Sequence, residues 1–225
     1  MLRPLALTSM LLLGCGTSSS PVVDTSSHAP LLDGSFGPLP DAPSCAAVVE
    51  AHAFEGNAHV APCLPVAYAS NPPSTGNHYS IWAAFGIYET PVPRGFWVHD
   101  LEHGAVVITY NCSDCSSELK AARAFIDVLP VDPACAGANG GAGPKRRILL
   151  TPDPLLDVRF AASAWQGPAY DNGGPGTGYT LRAPCFDAVA FAAFVTAHYA
   201  RGPEDLCYDG VDPFGPDGGA PLCGP

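Results

Sequence analysis

The chain has 225 residues, a formal net charge of −11 and only 14% charged residues, with Lys145-Arg146-Arg147 as its one basic cluster. That charge balance excludes a nucleic-acid partner held by phosphate contacts. Met1 and Met10 are the only two methionines, so residues 11–225 have no thioether, which counts against a Met-based Cu(I) carrier.

Met1-Leu2-Arg3 followed by the apolar run Leu5 to Leu13 predicts an export signal over residues 1–14, too short to span a bilayer as a mature helix. Its end, Leu12-Leu13-Gly14-Cys15, resembles the lipobox of bacterial lipoproteins, which implies lipidation of Cys15 and a mature chain starting there. The implied partner is the membrane, through that lipid anchor. With Gly16 rather than Asp after the cysteine, the resemblance further implies a cell-envelope lipoprotein retained at the outer membrane, facing the periplasm or the exterior. Residues 15–43 are rich in Ser, Pro, Asp and Gly without an apolar period, the composition of a flexible tether. Residues 44–225 then suffice for a single globular domain.

Within it, residues 45 to 80 carry Pro62, Pro65, Pro72 and Pro73 and are expected to wrap irregularly on the core rather than form long elements. Ala105 to Tyr110 is β-branched and apolar throughout, the pattern of a central strand buried on both faces. Ser116 to Leu129 reads as a helix, capped by Ser116 or Ser117 and stopped by Pro130, with Leu119, Ala122, Arg123, Phe125, Ile126 and Leu129 as its mostly apolar stripe. After a Gly-rich loop at residues 137–143, Arg147 to Thr151 and Arg159 to Trp165 read as strands. Cys185 to Tyr199 reads as a terminal helix ended at Arg201-Gly202-Pro203. The tail from Asp209 reads as coil, its Asp209, Asp212 and Asp217 lacking the spacing of a calcium loop. The order predicts an α+β fold: a single small sheet with two helices, a loop-rich N-terminal wrap, and disulfide staples.

Nine cysteines are present, and without Cys15 eight remain: Cys45, Cys63, Cys112, Cys115, Cys135, Cys185, Cys207 and Cys223. In an exported chain these predict up to four disulfides, for which Cys45 with Cys63 and Cys207 with Cys223 are the preferred local pairs. Cys112-Ser113-Asp114-Cys115 lies between a strand and a helix start, where a helix dipole stabilises a thiolate. This context resembles thioredoxin-like proteins and carries an alternative function, thiol–disulfide oxidoreductase through Cys112 and Cys115. Either cysteine could instead bond to Cys135.

Val98-His99-Asp100-Leu101-Glu102-His103-Gly104 puts two imidazoles and a carboxylate into five residues. In a helical turn ended by Gly104, His99 and His103 share one face at i and i+4. His-x-x-Glu-His is also the inverted zinc-hydrolase pattern, in which Glu102 would be general base. That is a second alternative function, zinc-dependent hydrolysis, although a strand starting at Ala105 leaves little room for the long helix on which such sites are built.

Three blocks in order, Asn71-Pro72-Pro73-Ser74-Thr75-Gly76-Asn77-His78-Tyr79, Gly86-Ile87-Tyr88-Glu89-Thr90-Pro91-Val92-Pro93 and Val98 to Gly104, resemble family 3105 of bacterial domains of unknown function, over roughly residues 55–205. Leu150-Thr151-Pro152 and Ala162-Ser163-Ala164-Trp165 resemble later family blocks. The chain has Ser-Thr-Gly-Asn-His where the family usually has Thr-Ser-Gly-Pro-His, and Asp100 where it has Asn; neither change touches a histidine. The resemblance implies a domain and candidate residues but no reaction.

Four histidines converge on one chemistry: His59, His78 on a turn made rigid by Gly76 and its prolines, His99 and His103. Imidazoles without thioethers suit a Zn or Cu ion, as Zn(II) or Cu(II). Tyr79, Trp82, Phe85, Phe96 and Trp97 are candidates for an apolar wall around it. Glu102 is a ligand, an outer partner or a base. Asp100 is expected to be solvated or an outer partner, and His28, His52 and His198 are left outside the site.

Overall fold

The structure is a computed structural model that describes residues 45–135, 144–215 and 222–223. The expected leader, Cys15, the expected tether with His28, the loop at 137–143 and Asp217 lie outside the described residues.

A six-stranded mixed sheet runs in the order β1-β8-β7-β5-β6-β4, with β1 at Val48–His52, β4 at Gly86–Ile87, β5 at Val106–Tyr110, β6 at Ile148–Pro152, β7 at Phe160–Gln166 and β8 at Thr177–Ala183. β5 and β6 are parallel neighbours, Val106 opposite Ile148, and the helix between them, α2 (Ser116–Val128), makes the crossover that parallel pairing requires. β7 and β8 follow as an antiparallel pair, and β1 adds to the edge with Val48 opposite Arg182.

Both faces of the sheet are covered. Val106, Ile108, Ile148, Leu150, Phe160 and Leu181 face α2 and α3 (Ala188–His198), which bring Phe125, Ile126, Phe191, Phe194 and Val195. The alternate residues Val107, Leu149 and Trp165 face a second core built around α1 (Arg94–Glu102). Period-two alternation of large apolar residues therefore stabilises two cores at once, and the all-buried sequence of β5 is its signature.

The α+β class with one main sheet stands, and the structure adds detail. There are three helices among the described residues. α1 is extra: of its nine residues only Arg94 is not buried, so it shows no polar face by which a sequence pattern would reveal it. β8 is extra too, its Gly178 and mixed polar residues giving a weak strand signal. The N-terminal wrap is largely irregular but supplies β1 and a two-residue parallel pair, β2 (His59–Val60) with β3 (His78–Tyr79). α2 is not capped by Ser116 or Ser117. Cys115 occupies the N-cap, without a side-chain cap bond. α3 is capped by the Asp187 side chain, which accepts from the Val189 N–H at 2.9 Å.

Four disulfides are present among the described residues, but not the local pairs the spacing suggests: Cys45–Cys185, Cys63–Cys223, Cys112–Cys115 and Cys135–Cys207. Strand register explains the first. With Val48 opposite Arg182 in an antiparallel pair, continuing three residues outward on each strand brings Cys45 opposite Cys185. Proximity in the fold, not along the chain, selects the partner. Cys63–Cys223 ties the wrap to the tail, and Cys135–Cys207 ties the 3-10 turn Pro133–Cys135, in the loop after α2, to the segment after α3. Cys112 is bonded to Cys115 rather than either being bonded to Cys135.

Candidate metal centre

The site forms where the wrap meets the C-terminal end of α1. The parallel pairing of β2 and β3 sets His59 directly opposite His78, fixed by His78 N–H to Ala58 O at 3.1 Å and Ser80 N–H to Val60 O at 2.9 Å. The preceding loops are zipped by Gly76 N–H to Gly56 O at 3.1 Å. Gly76 has φ +129°, and a Cβ there would stand 2.9 Å from the Tyr68 ring, so glycine is required on both counts. α1 lies across β3 and brings His99 and Glu102 to the same point. It can approach so closely because Gly95 faces the Tyr79 ring, which a Cβ would meet at 2.6 Å. Gly104, at φ +81°, ends the turn, with its N–H donating to Leu101 O at 3.0 Å.

His59, His78, His99 and Glu102 each offer one ligand atom, all within 4.8 Å of one another. The Glu102 Oε2 lies 3.1 Å from His78 Nε2, 3.4 Å from His59 Nε2 and 3.9 Å from His99 Nε2. Ligands held tetrahedrally at about 2.1 Å from a zinc ion stand about 3.4 Å apart, so these separations suit one ion at their centre. The three imidazole centroids lie 4.7–4.9 Å from each other. His78 and His99 are buried and His59 is half exposed, so the cluster has a solvent side.

Backbone carbonyls fix two of the tautomers. His78 Nδ1 donates to Gly76 O at 2.8 Å and His99 Nδ1 donates to Tyr79 O at 2.6 Å. A carbonyl can only accept, so in the neutral rings both Nε2 atoms carry lone pairs directed at the Glu102 carboxylate. Acceptors facing one another at 3.1 Å repel unless a cation lies between them. Burial resists a proton at His99 and lowers its pKa to about 4, despite the favourable Tyr79 carbonyl and Glu102 charge. Burial also lowers His103, to about 3. Burial alone would raise Glu102; it is held below its ordinary value when a proton or a metal cation sits between its oxygen and the facing nitrogens, supplying the hydrogen bond and charge at His78 first and then those at His99 and His59. A divalent ion coordinated by three imidazoles and a carboxylate satisfies all four groups together.

The four histidines expected together divide. His103 is buried beside His99, ring centroids 4.7 Å apart, but turns Nε2 toward Glu204 Oε2 at 3.4 Å. Glu102, His103 and Glu204 form a second group within 4.8 Å. Sequence reading missed Glu204. The signal available was Gly202, since a Cβ there would collide with the backbone of Glu102 and Gly104, and the segment is held by Glu204 N–H to Glu102 O at 2.9 Å.

Of the aromatics, Trp82 lies against the site, 5.2 Å from the His99 ring and 4.6 Å from His103. Trp165, not among the aromatics expected to wall the site, stands 6.0 Å from His78. Phe96 and Trp97 are fully buried core, and Tyr79 stacks edge-on with Phe96 while lending its carbonyl to His99. Asp100 is not solvated. It is wholly buried, its carboxyl has no partner of hydrogen-bonding geometry among the described residues, and burial pushes its pKa well up, more than the Ala83 backbone pulls it down. His52 bonds Thr180 across the β1–β8 pair and His198 lies beside Gln166, both away from the cluster. Cys112 and Cys115 follow the far end of β5 from His103, so the two candidate sites are separate.

A family model described as a protein of unknown function (DUF3105) matches residues 59–208. No curated protein and no solved structure matches the chain. The matched span opens on His59 and contains His78, His99, Glu102, His103 and Glu204, so every side chain of both groups lies inside it. The chain belongs to the DUF3105 family.

Proposed function

We propose that this protein is an exported cell-envelope lipoprotein whose domain binds a divalent transition metal, Zn(II) or Cu(II), through His59, His78, His99 and Glu102. One observation carries the metal reading: two buried imidazoles whose Nδ1 protons are spent on backbone carbonyls turn their free Nε2 atoms onto one carboxylate oxygen. Imidazole with a single carboxylate suits either ion. His59, half exposed, is the ligand through which metal would enter and leave. The lipid anchor at Cys15 and the tether are supported by the leader sequence, and they would suspend the domain from the membrane facing the periplasm or the exterior.

Binding is favoured over hydrolysis. Glu102 stands among the ligands, with its Oε2 directed at three imidazoles, rather than apart from them as a free base.

Equilibrium dialysis against Zn(II) or Cu(II), followed by elemental analysis, tests the metal reading. Wild type is expected to retain metal and His99→Ala to lose it; no retention by wild type, or equal retention by the variant, would overturn it. Mass spectrometry of the N-terminal peptide tests the anchor: acylation at Cys15 is expected, and an intact Met1 contradicts it.

A further inference from the structure

Resting on that metal-binding reading, we infer that the centre takes two ions, with Glu102 as the carboxylate shared between them and with His103 and Glu204 completing the second position. The two groups of ligand atoms have one member in common, Glu102, and each is confined within 4.8 Å. The contacts of Glu102 to His59, His78 and His99 all run through Oε2, which leaves Oε1 as the second oxygen of a bridging carboxylate. Bridged sites of this kind hold their ions about 3.5–4 Å apart.

The second position is built, not incidental. His103 is 2% exposed, and its Nδ1 is buried without a hydrogen-bond partner among the described residues. Leaving such a nitrogen empty is costly, and neither neutral tautomer gives both ring nitrogens a protein partner of hydrogen-bonding geometry. The ring is wedged between Trp82, at 4.6 Å, and His99, at 4.7 Å. Its own carbonyl is clamped by Arg147 Nη1 at 3.0 Å. Glu204 is delivered by a segment whose Gly202 lies against the Gly104 backbone and whose Glu204 N–H is tied to Glu102 O at 2.9 Å. A half-exposed carboxylate is thus brought onto a buried imidazole by backbone contacts that it does not itself make, leaving its oxygens for a ligand.

The metal-free full chain, titrated with Zn(II) and freed of unbound metal by gel filtration, is expected to carry two zinc ions, and Glu204→Ala one. Because Glu204 is half exposed, the variant is expected to fold, with an unchanged denaturant midpoint in the presence of chelator. Loaded instead with Cu(II), the wild type is expected to show the spin-coupled resonance spectrum of a pair, and Glu204→Ala that of an isolated ion. One zinc per wild-type chain would overturn the inference and leave the single-ion reading intact; none would overturn that reading as well. Two ions retained in Glu204→Ala, or uncoupled Cu(II) signals in a doubly loaded wild type, would also overturn the shared-carboxylate arrangement.

Discussion

Arg147 donates from Nη1 to the carbonyl of His103 at 3.0 Å, although the two residues are 44 positions apart and the arginine is wholly buried. The guanidinium also meets Asp132 Oδ2 at 2.9 Å and Asp205 Oδ1 at 2.6 Å, while the Tyr199 hydroxyl donates to the same Asp132 oxygen at 2.7 Å. One buried cation therefore fixes the end of α1, the segment after α3 and the loop after α2, and so holds the backbone that carries Glu102, His103 and Glu204.

Arg147→Met removes that cation and leaves Asp132 buried without its partner, a change that costs about 3–5 kcal/mol when one member of a buried pair is deleted. Denaturant unfolding of the metal-free protein is expected to show a loss of that order. A loss below about 1 kcal/mol would mean that Arg147 is not what holds the site's backbone.

The four disulfides are expected to be unequal. Chain-entropy scaling gives about 5 kcal/mol for a loop as long as that closed by Cys45–Cys185 and about 2 kcal/mol for the short Cys112–Cys115 loop. Replacing both cysteines of the first pair by serine should therefore lower the denaturant midpoint much more than replacing both of the second. Thiol counting on unreduced protein should find no free thiol among the eight cysteines from Cys45 to Cys223. Two reactive thiols at Cys112 and Cys115 that cycle with a dithiol donor would instead support the oxidoreductase alternative.

Acid should destabilise the metal-free protein well before ordinary carboxylates titrate. Burial lowers His99 and His198 to about 4 and His103 to about 3, whereas imidazoles in the unfolded chain titrate near 6.5. Between those values the unfolded state binds more protons, so stability is complete above about pH 6.5 and falls as pH drops toward 4. Glu102, held below its ordinary value, adds a loss in the same direction at lower pH. Unfolding midpoints measured in chelator from pH 7 to 4 should fall across this window; a midpoint unchanged between pH 7 and 5 would contradict the buried neutral imidazoles.

The fold was legible where periodicity reflects burial. β5 read as a central strand because all five of its residues are buried, and α2 showed its stripe because one face remains wet. α1 was visible only as a single turn, since nearly every side chain on it is covered and no amphipathic pattern survives. In the site, His99, Glu102 and His103 were legible because helical spacing joins them locally. The pairing of His59 with His78 depends on a two-residue parallel bridge without a local sequence signature, and the glycine at 202 hints at a close backbone approach near Glu204 without saying that Glu102 and Gly104 are what it approaches. For the cysteines, spacing favoured local pairs whereas strand register placed Cys45 beside Cys185.

X-ray absorption at the zinc edge, on protein loaded with one equivalent of Zn(II), tests the central claim most directly, because it reads the ligand set rather than affinity. Three imidazoles and one carboxylate oxygen at about 2.0–2.1 Å are expected, with the imidazole count reduced in His78→Ala. A sulfur shell at about 2.3 Å, or a zinc ion surrounded by oxygen alone, would contradict the site built by His59, His78, His99 and Glu102.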